Sequence, residues 1–303
     1  MHDTLKEGRF YFYMKNKLFM FQKEQKRATS PIIAILVMVG LFAIGAATQI
    51  AGAFTSALLI GFKNIEYGSI KHAGASLIAS VIGFGTVALL VMLWVQKYEK
   101  RSWRSLGLYS DNIFFKLIRG YLIGAIIIGI SIFMSLAFGW TERIAAAPKF
   151  PIATIIIVLL ISFFTYLIQG GAEEIQCRGF LMQTFGARFG ILAGVFAQAL
   201  IFVAIHGLSG LNWRYAIFVF TAAIFFALYA LWEESLWGVI GLHGAYNLGF
   251  FVVGVTYMGI RNPGTSLAER NAENLDLASI PIMLAAIIVL AVFLKNKHKL
   301  KEN

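Results

Sequence analysis

Long unbroken apolar stretches run through this chain, and short polar, mostly basic segments interrupt them. Eight stretches, at roughly residues 31–55, 73–95, 117–139, 151–180, 189–206, 214–232, 236–257 and 278–294, approach or exceed the ~20 apolar residues that carry a helix across a bilayer. The runs are continuous rather than alternating, which argues against a membrane β-barrel. The pattern predicts an all-α fold: a polytopic membrane helix bundle of about eight transmembrane helices with a polar site buried between helices. A turn is expected at Gly186-Ala187-Arg188-Phe189-Gly190, between the fourth and fifth spans. The fifth and sixth spans are the least distinct, because Gly207–Asn212 is a short connection. No internal repeat, low-complexity segment or soluble domain stands out.

Composition sharpens this picture. Hydrophobic residues make up 59% of the 303 positions and charged residues 14%, against roughly 25% charged in a soluble domain. Three regions follow: a basic amphipathic cytoplasmic arm at 1–30, one transmembrane helical domain at 31–294, and a basic cytoplasmic tail at 295–303. The arm mixes basic residues with Phe10, Tyr11, Phe12 and Tyr13. It lacks a cleavable-signal pattern and suits anionic lipid. Cys177 is the only cysteine, so an intrachain disulfide is excluded.

The net charge of +11 sits beside the spans and implies no nucleic-acid partner. With the N-terminus inside, inner segments carry nineteen Lys and Arg, including Arg178 and Arg188, and outer segments carry seven. That asymmetry places both termini in the cytoplasm. Met258–Ala278 is then the longest outer loop, with Glu269, Glu273 and Asp276. The expected location is the cell membrane of a prokaryote, with the bilayer as one partner and a membrane-associated protein or peptide substrate as the other. Nothing in the sequence bears on oligomeric state.

The chemistry concentrates in Gly171-Ala172-Glu173-Glu174-Ile175-Gln176-Cys177-Arg178 and in two downstream histidines, His206 and His243. An ionised side chain inside a bilayer costs a few kcal/mol at least, so it marks a functional site by default. Glu173 and His206 each lie about 16 residues from the expected turn, which is about 25 Å along each arm of a helical hairpin. Glu174 and Arg178 are i,i+4 and can pair on one helix face, while Glu173 projects about 100° away. His243 and Asn247 are also i,i+4. Phe202 sits one turn before His206. Peptide hydrolysis needs a base for water and donors for the developing oxyanion. Glu173 with His206 can supply the first, and His243 with Asn247 the second. Alternatively, Glu173, His206 and His243 can ligate zinc with water in the fourth position. No other cofactor is indicated. Glu233 and Glu234 read as solvated residues of a tight inner turn, and His72 and His298 as loop residues.

Three motifs in order carry a resemblance: Glu173-Glu174-Ile175-Gln176-Cys177-Arg178, Phe202-Val203-Ala204-Ile205-His206 and His243-Gly244-Ala245-Tyr246-Asn247. In them the chain resembles the CAAX-protease and bacteriocin-processing family of intramembrane proteases, whose eukaryotic members include the type II prenyl-protein endopeptidase. Leu106-Gly107-Leu108 and Ser235-Leu236-Trp237 are similar to the family as well. The motif region spans about 150–250. The resemblance implies Glu173 as base with His206 placing the water, His243 and Asn247 as oxyanion stabilisers, and Glu174 with Arg178 as support. It leaves metal dependence open, although the chain has no His-Glu-x-x-His motif. Membrane-anchored substrates are implied, and prenylation is not.

Other classes fit less of the sequence. An aspartyl intramembrane protease needs two membrane aspartates, but Asp3, Asp111 and Asp276 fall in predicted loops or tails. A serine site built from Ser209 and His243 leaves Glu173 and Arg178 unexplained. An ion- or proton-coupled transporter would use the same membrane Glu and His, but the repeated halves common in transporters are missing. A non-catalytic immunity or scaffold protein of the same fold would not need intact motifs.

Overall fold

The computed structural model describes residues 29–61, 66, 68–141, 150–207, 212–257 and 266–302. Residues 1–28 of the expected arm lie outside this set, as do the side chains of most of the expected tail. The described residues form eight helices and no strands, so the fold is the expected helix bundle. They are α1 (Pro31–Ile60), α2 (Ile70–Lys97), α3 (Ile113–Ala137), α4 (Ile152–Phe189), α5 (Ile191–Gly207), α6 (Trp213–Glu233), α7 (Trp237–Leu248) and α8 (Ser266–Glu302). Six of them are long and apolar enough to cross a membrane, while α5 and α7 are shorter apolar helices. The protein is an integral membrane protein.

Local chemistry sets the helix ends. Ser30 caps α1 by accepting from the Ile33 N–H, with Pro31 opening the helix. Asn212 caps α6 through the Tyr215 N–H at 2.8 Å. Gly190 ends α4 at φ +93, a backbone conformation that suits glycine, and the chain reverses there into α5. The turn therefore falls where the sequence places it.

Helices α6 and α7 sit at the centre, and α1, the first half of α4 and α8 present apolar side chains outward. Helix α3 packs on α7 almost backbone to backbone. A Cβ on Gly120 would collide with the Gly238 carbonyl, and one on Gly241 with the Leu117 carbonyl. Without a hydrophobic force between helices in lipid, such close approach is how membrane helices gain contact energy. The α2–α3 loop and the α6–α7 turn dock at one end of the bundle. The Leu236 N–H donates to the Gly107 carbonyl at 2.8 Å, and the Trp237 indole donates to the Leu108 carbonyl at 3.0 Å. The two short segments that resemble the family thus touch each other.

Several expectations need correction. The fourth helix runs on to Phe189 rather than ending near 180, with a π-helical stretch at Ile175–Leu181. Arg178 is not a flanking charge, because it is fully buried inside the bundle. Removing it from the inner tally leaves the charge excess standing. The segment read as an outer loop is partly helical, since α8 begins at Ser266, and Asp276 is a buried helix residue. His72 lies in the first turn of α2, after the Ser69 cap. Glu233 is not solvated. It pairs with Arg119 and accepts from the Gly238 N–H at 2.7 Å, so a carboxylate caps the start of α7.

Candidate active site

Consecutive residues on a helix point about 100° apart, and this separates the two glutamates of α4. Glu174 faces inward and is fully buried. Its Oε1 accepts from Arg178 Nη1 at 3.0 Å, across one helical turn, and lies 2.8 Å from His243 Nδ1. Arg178 also donates through Nη2 to the Ala223 carbonyl of α6 at 3.1 Å, an acceptor it shares with Gln198 Nε2 of α5. The guanidinium carbon lies 5.0 Å from the Phe202 ring centroid and 5.3 Å from that of Phe226. A buried cation is thus held by a carboxylate, a carbonyl and two aromatic rings from three helices.

His243 sits between the two glutamates. An ionised Glu174 can only accept, so the proton of this bond is on Nδ1. The other ring nitrogen, Nε2, lies 3.7 Å from Glu173 Oε2. That is longer than a hydrogen bond, and it is the one ion-pair contact of Glu173 among the described residues. Glu173 is also the less enclosed carboxylate, with 15% of its side chain exposed against none for Glu174. Gly170 makes the approach of α4 to α7 feasible, since a Cβ there would stand 3.2 Å from the His243 side chain. The Phe226 ring packs against His243 at 5.0 Å between centroids.

Glu173, Glu174, Arg178 and His243 therefore come together directly. Asn247 lies one turn beyond His243 on the same helix and is half-buried. His206 joins less directly. Its Nδ1 lies 2.8 Å from the Phe202 carbonyl, and its ring is 4.2 Å from that of Phe202 and 6.3 Å from that of Tyr215. Phe202 in turn packs on Arg178. The α4–α5 hairpin brings both histidine and glutamate helices into the bundle core, but the partner of Glu173 is His243 and not His206. Among the described residues, no three His, Cys, Asp or Glu side chains are grouped so as to hold a metal ion.

Three features had no clear sequence signal. The bond from Glu174 to His243 joins positions 69 residues apart. The Phe226 wall and Gln198 look like ordinary helix residues in the sequence. The π-helical stretch Ile175–Leu181 contains Arg178, and a second, Gly249–Tyr257, begins two residues after Asn247. Such stretches often mark functional sites.

The comparisons with known proteins agree with this part of the molecule. Residues 154–249 match the family model described as type II CAAX prenyl endopeptidase Rce1-like. This stretch runs from early α4 past Asn247, so all three motifs lie within it. Here the chain is similar to a CAAX-type protease, as the motifs imply. No curated protein and no solved structure matched the chain.

Proposed function

We propose that this chain is an intramembrane endopeptidase that hydrolyses a peptide bond of a membrane-associated or lipid-anchored protein or peptide, with Glu173 as general base. The observation that carries this reading is the division between adjacent glutamates. Glu174 is spent on Arg178 and His243, whereas Glu173 is partly open and faces a histidine nitrogen.

The chemistry follows from that division. Water held between Glu173 and the substrate attacks the scissile carbonyl carbon and gives its proton to the carboxylate. The carbonyl oxygen becomes an oxyanion, and Asn247 and His243 donate to it. Because Glu174 holds the Nδ1 proton, His243 donates from Nε2 only as the imidazolium. Collapse of the tetrahedral species breaks the C–N bond, and the proton on Glu173 passes to the leaving amine. His206, on the wall shared with Phe202, helps place the water.

The reading is tested with Glu173→Gln. Gln keeps the shape but accepts no proton, so cleavage of a peptide library should fall by roughly 10²–10⁴. Thermal stability should stay near that of the unsubstituted protein, because Glu173 makes no hydrogen bond among the described residues. Near-normal cleavage by this variant would move the chemistry elsewhere.

A further inference from the structure

We propose that Ser131, Tyr246 and Ser279 form a positioning link that sets the rotation of α7 and thereby aims His243 and Asn247. The inference rests on the catalytic reading above. Ser131 lies on α3 and Ser279 on α8, both outside the residues that match the family model.

The proton order of the link can be deduced. The Ser131 hydroxyl donates to the Ile127 carbonyl one turn earlier, at 2.8 Å. It therefore accepts from Ser279 Oγ, at 2.9 Å. Ser279 has a single proton, which it shares between Ser131 Oγ and the Leu275 carbonyl at 3.1 Å. With either one, Ser279 is an acceptor toward Tyr246, whose hydroxyl lies 2.8 Å away and donates. The chain of hydroxyls thus begins on the helix that carries His243 and Asn247 and reaches two neighbouring helices. Ser131 and Ser279 are fully buried and Tyr246 is 5% exposed. A hydroxyl without a partner is costly in such surroundings, so the link favours one arrangement.

Elsewhere α7 is held by the His243 bond to Glu174 and, at its start, by the Trp237 bond to Leu108, and the remaining contacts are smooth. Toward α4 it presents Gly244 against Leu167, and His243 lies against Gly170. Toward α3 its glycines meet backbone. Such smooth contacts allow close approach and resist turning weakly. Tyr246 adds an anchor toward α8. Its ring is wedged between Phe218, at 5.8 Å, and Phe250, at 6.4 Å, and its hydroxyl is tied at the far end. Tyr246 lies between His243 and Asn247 in sequence, so any turn of α7 that displaces its hydroxyl moves both donors as well.

The experiment uses the full chain in detergent or liposomes and an internally quenched peptide that the unsubstituted protein cleaves. Tyr246→Phe keeps the ring and removes the hydroxyl, and Ser131→Ala removes the other end of the link. Since misplacement by about 1 Å can cost about a hundredfold in rate, each should lower kcat by about tenfold or more. KM should stay within about twofold, since the link does not touch substrate. The double variant should be no worse than the poorer single one, because both cut the same connection. An unchanged kcat in Tyr246→Phe overturns the proposal, and so does a loss that only follows the amount of folded protein. Glu173→Gln measured alongside separates the failures. If it is inactive while Tyr246→Phe is unimpaired, the link alone falls. If it cleaves normally, the catalytic reading falls and the link with it.

Discussion

Arg178 shows how much one residue's role depends on its surroundings. Its spacing from Glu174 is enough to predict the ion pair, and the pair is present at 3.0 Å. The spacing does not tell that both partners are fully enclosed, nor that Glu174 also holds His243. Those facts alter what a substitution does. Arg178→Ala would leave a buried carboxylate with one partner fewer and open a hole between Phe202 and Phe226. Breaking a buried pair typically costs about 3–5 kcal/mol, so the variant should show a lower unfolding temperature and poor yield in a thermal-shift measurement. If Arg178→Ala is as stable as the parent yet inactive, Arg178 belongs with the catalytic groups instead. His206 teaches the opposite lesson. Equal distance from the turn brought its helix to the right place, but did not tell which neighbour its ring would meet.

Between elements, the contact of α3 with α7 matters most to the candidate site. Both helices are visible in the hydropathy, yet their pairing is not, because glycines are common throughout the chain. In the structure Gly241 meets the Leu117 carbonyl so closely that a methyl group cannot fit without separating the helices. Overpacking usually costs about 1–3 kcal/mol, and here the obstacle is backbone rather than a side chain that can rotate away. Gly241→Ala should therefore lower both stability and cleavage, since His243 lies two residues further along α7. Gly129, whose added Cβ would meet nothing within 4 Å, is the matching control. If Gly241→Ala and Gly129→Ala behave alike in unfolding and in cleavage, the close packing has no functional weight.

Across the whole molecule, eight helices and the excess of Lys and Arg at one end lead to an expected orientation. The α2–α3 loop, with Lys100, Arg101 and Arg104, should face the cytoplasm, as should both termini. Ser102 is exposed in that loop and Cys177 is buried, so a cysteine introduced as Ser102→Cys can be labelled against a quiet background. A membrane-impermeant maleimide should modify it only after the membrane is opened. Modification in intact cells would reverse the orientation. The docking of the α2–α3 loop onto the α6–α7 turn then puts the Glu233 cap on the cytoplasmic side, and His243 about six residues, or about 9 Å, beyond the start of α7.

By itself the sequence determined the fold class, because a bilayer admits only spans whose backbone bonds are satisfied internally. It also singled out which polar residues are candidates for the site, because charged groups in apolar runs are costly. The turn at Gly190 and the pairing of Glu174 with Arg178 are local, and local spacing was enough for both. Only the tertiary structure decided how the site is wired. The two glutamates differ in their contacts, and that Glu174 also meets His243 depends on a helix distant in sequence. The burial of Glu233 and Asp276 likewise depends on what packs over them, which the pattern of one helix does not contain. The hydroxyls of Ser131, Tyr246 and Ser279 look like isolated polar positions in three separate spans. They form a connected set only because close packing puts α3, α7 and α8 within reach of a hydrogen bond.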